Sequence, residues 1–568
     1  MKRLIRFFYS STSINGLRGT LRRTTGGCAP QPALLTHKRF DYVPRKKFCI
    51  RFISLICTAL IALNVYAEDH RTFFSIPGHF VTGMPERLTF ARMRNMESNC
   101  NRCGFWMQST AYFSKSTNGC KISEYFLPEE KHKLLVYEYK PSDPVSTTDT
   151  TQSQRDIEAR NFNIKTDPNT PRAFRSLISF NPHYEAFGIG FVFKQVFRWD
   201  GTYPKAWFEL AFPVEHIKTA MHLHETIIDN GGGVARTANG FPEAGLSKSP
   251  VVDSMEEAFR QQRWRFGKID NRKKLDKWGI ADIEFKVNWR GYRSDACRVN
   301  SAIGLIIPTG TTINAAQAAY LFSPVVGNNH HWGFVMDSHM DFEIFHHDDD
   351  VVNILVDTAG RTLLSNYQVR SFDVKGKPWS RYMAIYRTQD DAEEAANDHL
   401  DMSGSPGINI FTNCVQVNPR NTYNAHFGLL YEHCNYRLEG GYHLFVRNCE
   451  SVEFPKTQRA NWKHHAAFKG INGNGATSLA RTINNNFTDS NITNPNDFPD
   501  AIISIADLDL NSAAHPAIVT NIMYGALGHQ WDIGNYPLML SLGGSYEWSA
   551  PNTALDRWTI WGKFSMML

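Results

Sequence analysis

Ala281-Asp-Ile-Glu-Phe-Lys-Val-Asn-Trp-Arg290 alternates without a fault. Ala281, Ile283, Phe285, Val287 and Trp289 fall on one side, and Asp282, Glu284, Lys286, Asn288 and Arg290 on the other. Successive side chains of an extended strand point to opposite faces, so the stretch predicts a strand with one apolar and one charged face. A helix would spread those charges around its circumference. The apolar stripe calls for a hydrophobic surround, while the mixed charges opposite it call for water or for one another.

The same period recurs outward from this stretch. In Trp332 to Ile344, Trp332, Phe334, Met336, Met340, Phe342 and Ile344 oppose Asp337, His339, Asp341 and Glu343. In Tyr436 to Val446, Tyr436, Leu438, Tyr442, Leu444 and Val446 oppose Arg437, Glu439 and His443, with Arg447 next in phase. Near the end, Pro537 to Trp548 and Trp558 to Leu568 alternate on either side of a polar turn, which reads as a hairpin. Segments of about ten residues with this period are the signature of a transmembrane β-barrel. After Ala67 no run of 18 apolar residues occurs, so any membrane span there must be made of strands. A soluble β-sandwich would also carry one-face-apolar strands. The charge on the second face and the export signal described below favour the barrel.

Further strands are expected at Leu177–His183, Phe187–Lys194, Ala206–Phe212, Ala302–Ile307, Arg381–Arg387, Gly407–Val417, Asn424–His433, Ala501–Ala506 and Ile518–His529, with weaker candidates at Lys133–Tyr139 and Leu363–Phe372. Together they predict an all-β fold, an antiparallel barrel of about 12–16 strands. Long polar loops, one of them at residues 454–499, and one short loop helix complete it. The helix is expected from the capping spacing of Ser254 and Glu257, either on the surface or as a constriction in the lumen.

Composition fits: aromatic residues reach 13% of the 568 while charged residues stay at 20%. The net charge of +6 is no sign of a nucleic-acid partner, because residues 1–67 hold twelve Lys and Arg against Asp41 alone and the remainder is about −5. Arg45, Lys46, Lys47 and Arg51 run into the apolar stretch Phe52–Val65 and the small residue Ala67. That is the pattern of a signal peptide over residues 45–67, cleaved near Ala67. Residues 1–44 read as a spurious or targeting extension, 68–170 as a Cys-containing segment with the first strands, and 171–568 as the barrel.

Seven cysteines follow Ala67. Cys100, Cys103 and Cys120 suggest a disulfide, with free thiols or zinc as alternatives. His330-His331 and His346-His-Asp-Asp-Asp350 read as solvated turns rather than metal sites. No Gly-x-Ser-x-Gly, His-Glu-x-x-His or phosphate-binding loop is present, and no cofactor or enzymatic activity is expected.

Gly279-Ile-Ala-Asp-Ile-Glu284, Leu305-Ile-Ile-Pro-Thr-Gly310 and Pro324-Val-Val-Gly327 together resemble outer-membrane channels of the kind found beside aromatic-degradation pathways. The resemblance spans about a tenth of the chain and implies a barrel that takes up small molecules. The apolar alternation up to Leu568 resembles the C-terminal signal by which such barrels engage the assembly machinery. The expected function is a porin-like outer-membrane channel for passive passage of small solutes. Its pore would be lined by Asp282, Glu284, Lys286, Arg290, Asp337, His339, Asp341, Arg437, Glu439 and Arg447. A structural or adhesive surface barrel acting through its loops is the alternative, and a barrel hydrolase a distant one. Membrane lipids and small solutes are the partners expected; oligomeric state is not legible.

Overall fold

A computed structural model describes most of residues 104–567. Residues 1–103, 138–156, 165–173, 231–251, 386–404, 458–464 and 467–501, with some shorter stretches, lie outside the described residues. The signal peptide and most of the 454–499 loop fall there.

Twelve antiparallel strands close into a barrel. In chain order they are β1 (Phe105–Ser116), β2 (His183–Asp200), β3 (Tyr203–Ala220), β4 (Ile283–Arg293), β5 (Cys297–Ile307), β6 (Gly333–His347), β7 (Asp350–Leu363), β8 (Asn421–His433), β9 (Tyr436–Arg447), β10 (Ile518–Ile533), β11 (Tyr536–Ser549) and β12 (Arg557–Met567). Each strand pairs with the next in the chain, and the last closes the ring on the first at one seam. There β1 lies between β2 and β12, with Trp106 opposite Met567 and Ser116 opposite Arg557. The closed ring leaves no free edge, as a strand-built membrane span requires. The count is the lower bound of the expected range.

The outer face is the apolar one. Phe187, Phe208, Phe285, Trp289, Ile303, Leu305, Phe334, Met336, Leu438, Met523, Leu527, Leu540, Leu542 and Ile560 all stand exposed on it. Aromatic residues bound this band. Tyr292, Tyr431, Tyr436, Trp531 and Tyr536 lie toward one end, and Trp278, Trp332 and Tyr546 toward the other. Along β11 the ten-residue step from Tyr536 to Tyr546 rises about 33 Å, or about 25 Å at a tilt near 40°, the height of a barrel's hydrocarbon belt. Among the described residues no helix is long and apolar enough to cross a membrane.

The two ends differ. At one, β2–β3, β4–β5, β6–β7, β8–β9 and β10–β11 are joined by two or three residues each. Asp348 and Cys434 adopt positive φ in two of these turns. At the other end the connections are long and fold on themselves. They hold a four-stranded sheet and smaller sheets. A core of Phe126, Phe162, Phe180, Phe259, Trp264, Trp379 and Tyr382 packs against the wall residues Tyr184, Ile217 and Ala281. This cap covers the barrel end with an apolar core of its own.

Several expected wall strands belong to the cap. Lys133–Tyr137, Phe174–Phe180 and Asn366–Ser371 pair there, outside the barrel. The expected strand at Arg381–Arg387 is a helical turn, Ser380–Tyr382, followed by the short strand Ala384–Ile385. Gly407–Val417 opens as a helix over Gly407–Ile410 before the strand Thr412–Asn418, and Ala501–Ala506 shows only the pair Ile502–Ile503 and a turn. Short pieces held by tertiary contacts carry no sustained period to read. Conversely, β1 and β7 were not anticipated. Outward-facing Ser109 and Lys115 blur the period in β1, and Val351-Val-Asn-Ile-Leu-Val356 in β7 puts apolar side chains on both faces.

The loop helix is one turn, Met255–Ala258, with the Ser254 hydroxyl accepting from the Glu257 N–H at 3.2 Å. It does not lie free on the surface. Met255, Ala258, Phe259 and Trp264 are buried in the cap core.

Candidate functional site

The inward faces of the strands bring together charged side chains from distant parts of the sequence. Lys286 on β4 places its ammonium 2.7 Å from Glu209 on β3 and 2.7 Å from Asp337 on β6. Asp337 is two strands away. On the intervening β5 the residue beside Lys286 is Gly304, where an added Cβ would fall 2.6 Å from the lysine stem and 2.3 Å from the Phe285 carbonyl. The bare backbone at Gly304 is what lets Lys286 lie across β5. Lys194 extends the cluster to Glu209 at 3.6 Å, and Arg361 on β7 reaches Glu284 at 3.0 Å.

A second chain of contacts crosses β6 to β10. Asp357 accepts from His339 at 3.2 Å and from Nδ1 of His426 at 2.9 Å. Nε2 of His426 lies 2.6 Å from the Tyr524 hydroxyl, whose proton goes to Glu439. His426 thus ties the Asp357 carboxylate on β7 to the Tyr524 hydroxyl on β10. Lower in the barrel, Arg437 bonds Glu432 at 3.2 Å and Gln530 at 2.6 Å.

Aromatic rings complete the lining by lying flat over inward-facing glycines. Tyr112 covers Gly188 and reaches Glu215, Tyr524 covers Gly441, and Trp561 covers Gly543. The three rings form one cluster. A methyl at Gly188 would come within 2.5 Å of the Tyr112 oxygen.

Most of the expected pore residues therefore sit on the inner face. Glu284, Lys286, Asp337, Arg437 and Glu439 are buried in the network, and His339, Asp341 and Arg290 are partly exposed. Two stand apart. Arg447 ends β9 and binds Glu450, which is also held by Arg370 at 3.1 Å. Burial would raise the Glu450 carboxyl, but the polar surround of His515, Arg370 and Arg447 pulls it well below the usual carboxylate range. Asp282 occupies a kink. The strand Leu275–Ile280 continues the line of β4 along β3, and between the two Asp282 accepts from the N–H of Asn328 at 2.8 Å and of Gly310 at 3.3 Å. Gly327 sits at φ +78° against the same carboxylate, and Gly279 packs on Val326. The three sequence pieces that carry the resemblance thus meet in one knot.

Glu209, Asp357, His426 and Tyr524 were not singled out from the sequence. Their partners depend on strand register, and Tyr524 lies 98 residues from His426.

The apolar outer band, the charged interior and the closed ring are now in place. The chain is a transmembrane β-barrel. No family profile matches its sequence, and no curated protein matches it. Among solved structures it is similar to an outer membrane channel from Pseudomonas putida F1, at 9% identity and a TM-score of 0.33, over 87% of this chain and 99% of that one. It is also similar to a Pseudomonas aeruginosa FadL homologue, at 9% identity and a TM-score of 0.26, over 88% and 98%. A third is the CymD monoaromatic hydrocarbon channel, at 9% identity and a TM-score of 0.27, over 84% and 92%.

The remaining expectations fall as follows. Cys100 and Cys103 lie outside the described residues. Cys120 is exposed beyond the cap end of β1. His331 is no solvated turn: it is buried, donating from Nδ1 to the Leu364 carbonyl at 2.7 Å, with Nε2 2.7 Å from the Gln368 amide. Burial lowers its pKa to about 4. His346 and His347 are exposed at the short-turn end, and no group of three metal-ligating side chains able to hold an ion occurs among the described residues.

Proposed function

We propose that this protein is an outer-membrane channel for passive passage of small solutes, with its short turns on the periplasmic side and its cap outside. The observation that carries the reading is the polarity of the barrel. A chain that needed only a membrane anchor could fill its interior with apolar side chains, whereas this one lines it with Glu209, Lys286, Asp337, Glu284, Arg361, Asp357 and Glu439. Charged interiors suit solutes carried with their hydration. Orientation follows the usual asymmetry of such barrels, with short periplasmic and long external connections.

Planar bilayers containing the purified protein should show discrete conductance steps. Replacing Lys286 and Arg361 by Met leaves the carboxylates of Glu209, Asp337 and Glu284 behind and should shift selectivity toward cations. Absence of steps from both proteins, together with no swelling of liposomes in small neutral solutes, would remove the channel reading. The folded cap core supports a second reading, surface contact through the cap. It predicts retained cell-surface binding in a variant that no longer conducts.

A further inference from the structure

On the outer wall near the cap, the strand Leu275–Ile280 lies beside β3. Trp278 is 57% exposed there, stacked on His216 at 4.4 Å with the rings 4° from parallel. The pair marks the edge of the hydrocarbon band, where amphipathic rings settle. Beyond it on the same face stand Asp276 with Lys218 opposite, and then Lys274. At about 3.4 Å per residue and a tilt near 40°, Lys218 and Lys274 lie about 5 and 10 Å past the belt, within the layer of lipid headgroups.

The acids in this region have partners. Asp276 is bonded to His216 at 3.0 Å, Glu185 to Lys115 at 3.1 Å and His183 at 3.2 Å, and Asp270 to Arg272 at 3.3 Å. Lys273 lies over the Tyr320 ring. Lys218 and Lys274 are exposed; Glu185 and Asp276 stand opposite Lys218 on the two neighbouring strands, but their carboxylates bond Lys115, His183 and His216, and among the described residues no ion pair holds either lysine. Unpaired cations that face outward at headgroup height, above an exposed tryptophan, match a lipid whose headgroup carries phosphate.

We infer that Lys218 and Lys274 form a binding site for the phosphate groups of an anionic lipid in the leaflet at the cap end. The inference rests on the transmembrane orientation proposed above. Position decides the partner, since the site is continuous with the lipid-facing wall and only a lipid presents phosphate at that height.

The test is native mass spectrometry of the full-length protein in detergent, titrated with a bisphosphorylated diglucosamine lipid. The parent should retain it. The double variant Lys218→Gln/Lys274→Gln should bind about thirtyfold more weakly, the effect of two surface cations at the usual contribution of each. Lys218→Arg/Lys274→Arg should bind like the parent, and so should Lys205→Gln, which removes a lysine at the short-turn end. Phosphatidylcholine and millimolar inorganic phosphate should not compete. Equal binding by the parent and the glutamine variant, equal loss in Lys205→Gln, or full competition by phosphatidylcholine or free phosphate would overturn the site. Heat-dependent gel mobility is followed in parallel. Its absence in the parent would defeat the transmembrane reading, whereas lost selectivity with that mobility intact defeats the lipid site alone.

Discussion

Lys286 is held by two carboxylates in a space with little water, and the three groups stand or fall together. Removing one partner of a buried ion cluster leaves uncompensated charge and costs about 3–5 kcal/mol. Lys286→Met should lower unfolding stability in lipid vesicles by that amount, measured by urea titration, and adding Glu209→Gln should recover part of the loss. Gly188→Ala tests the flat-lying rings. Its methyl would displace Tyr112 from Glu215, an overpacking cost of about 1–3 kcal/mol. At this scale the alternating charges Glu284, Lys286, Asp337, Arg437 and Glu439 were legible, because period 2 alone assigns a side chain to a face. Which of them touch was not. The contact of Lys286 with Asp337 depends on the register of three strands and on a glycine whose role shows only when β5 is set beside β4.

The cap is the element where sequence reading fails most, and the reason is physical. Its strands are two to eight residues long, and its stability comes from buried groups such as Arg381, which donates to Asp373 at 2.7 Å and to the Ser371 carbonyl at 3.0 Å. No local pattern announces such contacts. The capping spacing of Ser254 and Glu257 was legible because it is local, but the burial of Met255 and Trp264 was not. His331 gives the cap a dependence on pH. The unfolded ring titrates near 6.5 and the folded one near 4. Between those values the unfolded cap binds a proton that the folded cap does not, so stability is lost as pH falls from about 6.5 to about 4. Amide exchange of the cap strands should accelerate over that window while the wall strands stay protected. His331→Asn should reduce the effect without abolishing it, because burial also holds His515 neutral.

At the scale of the whole molecule, the barrel depends on the seam between β1 and β12. Deleting Phe564–Leu568 removes the partners of Trp106 to Ser109 on one side and of Leu538 to Leu540 on the other. Those strand edges would face hydrocarbon unpaired. The truncated chain should be exported yet fail to enter the membrane, and its gel mobility should no longer depend on heating. Twelve strands were legible as a range because ten of them carry the period. The ring closed only once β1 was recognised, since Ser109 and Lys115 disguise its outer face.

The contrast between the two ends also dictates an order of events. In the proposed orientation every long connection sits on the far side of the bilayer from the short turns, so the segments between β1 and β2, β3 and β4, β5 and β6, β7 and β8, and β9 and β10 must cross as unstructured chain. Glu450, Arg370, Arg381 and Asp373 meet their partners only after that crossing. The wall is therefore threaded first, and the cap crystallises out of the delivered loops as a second, separate folding transition.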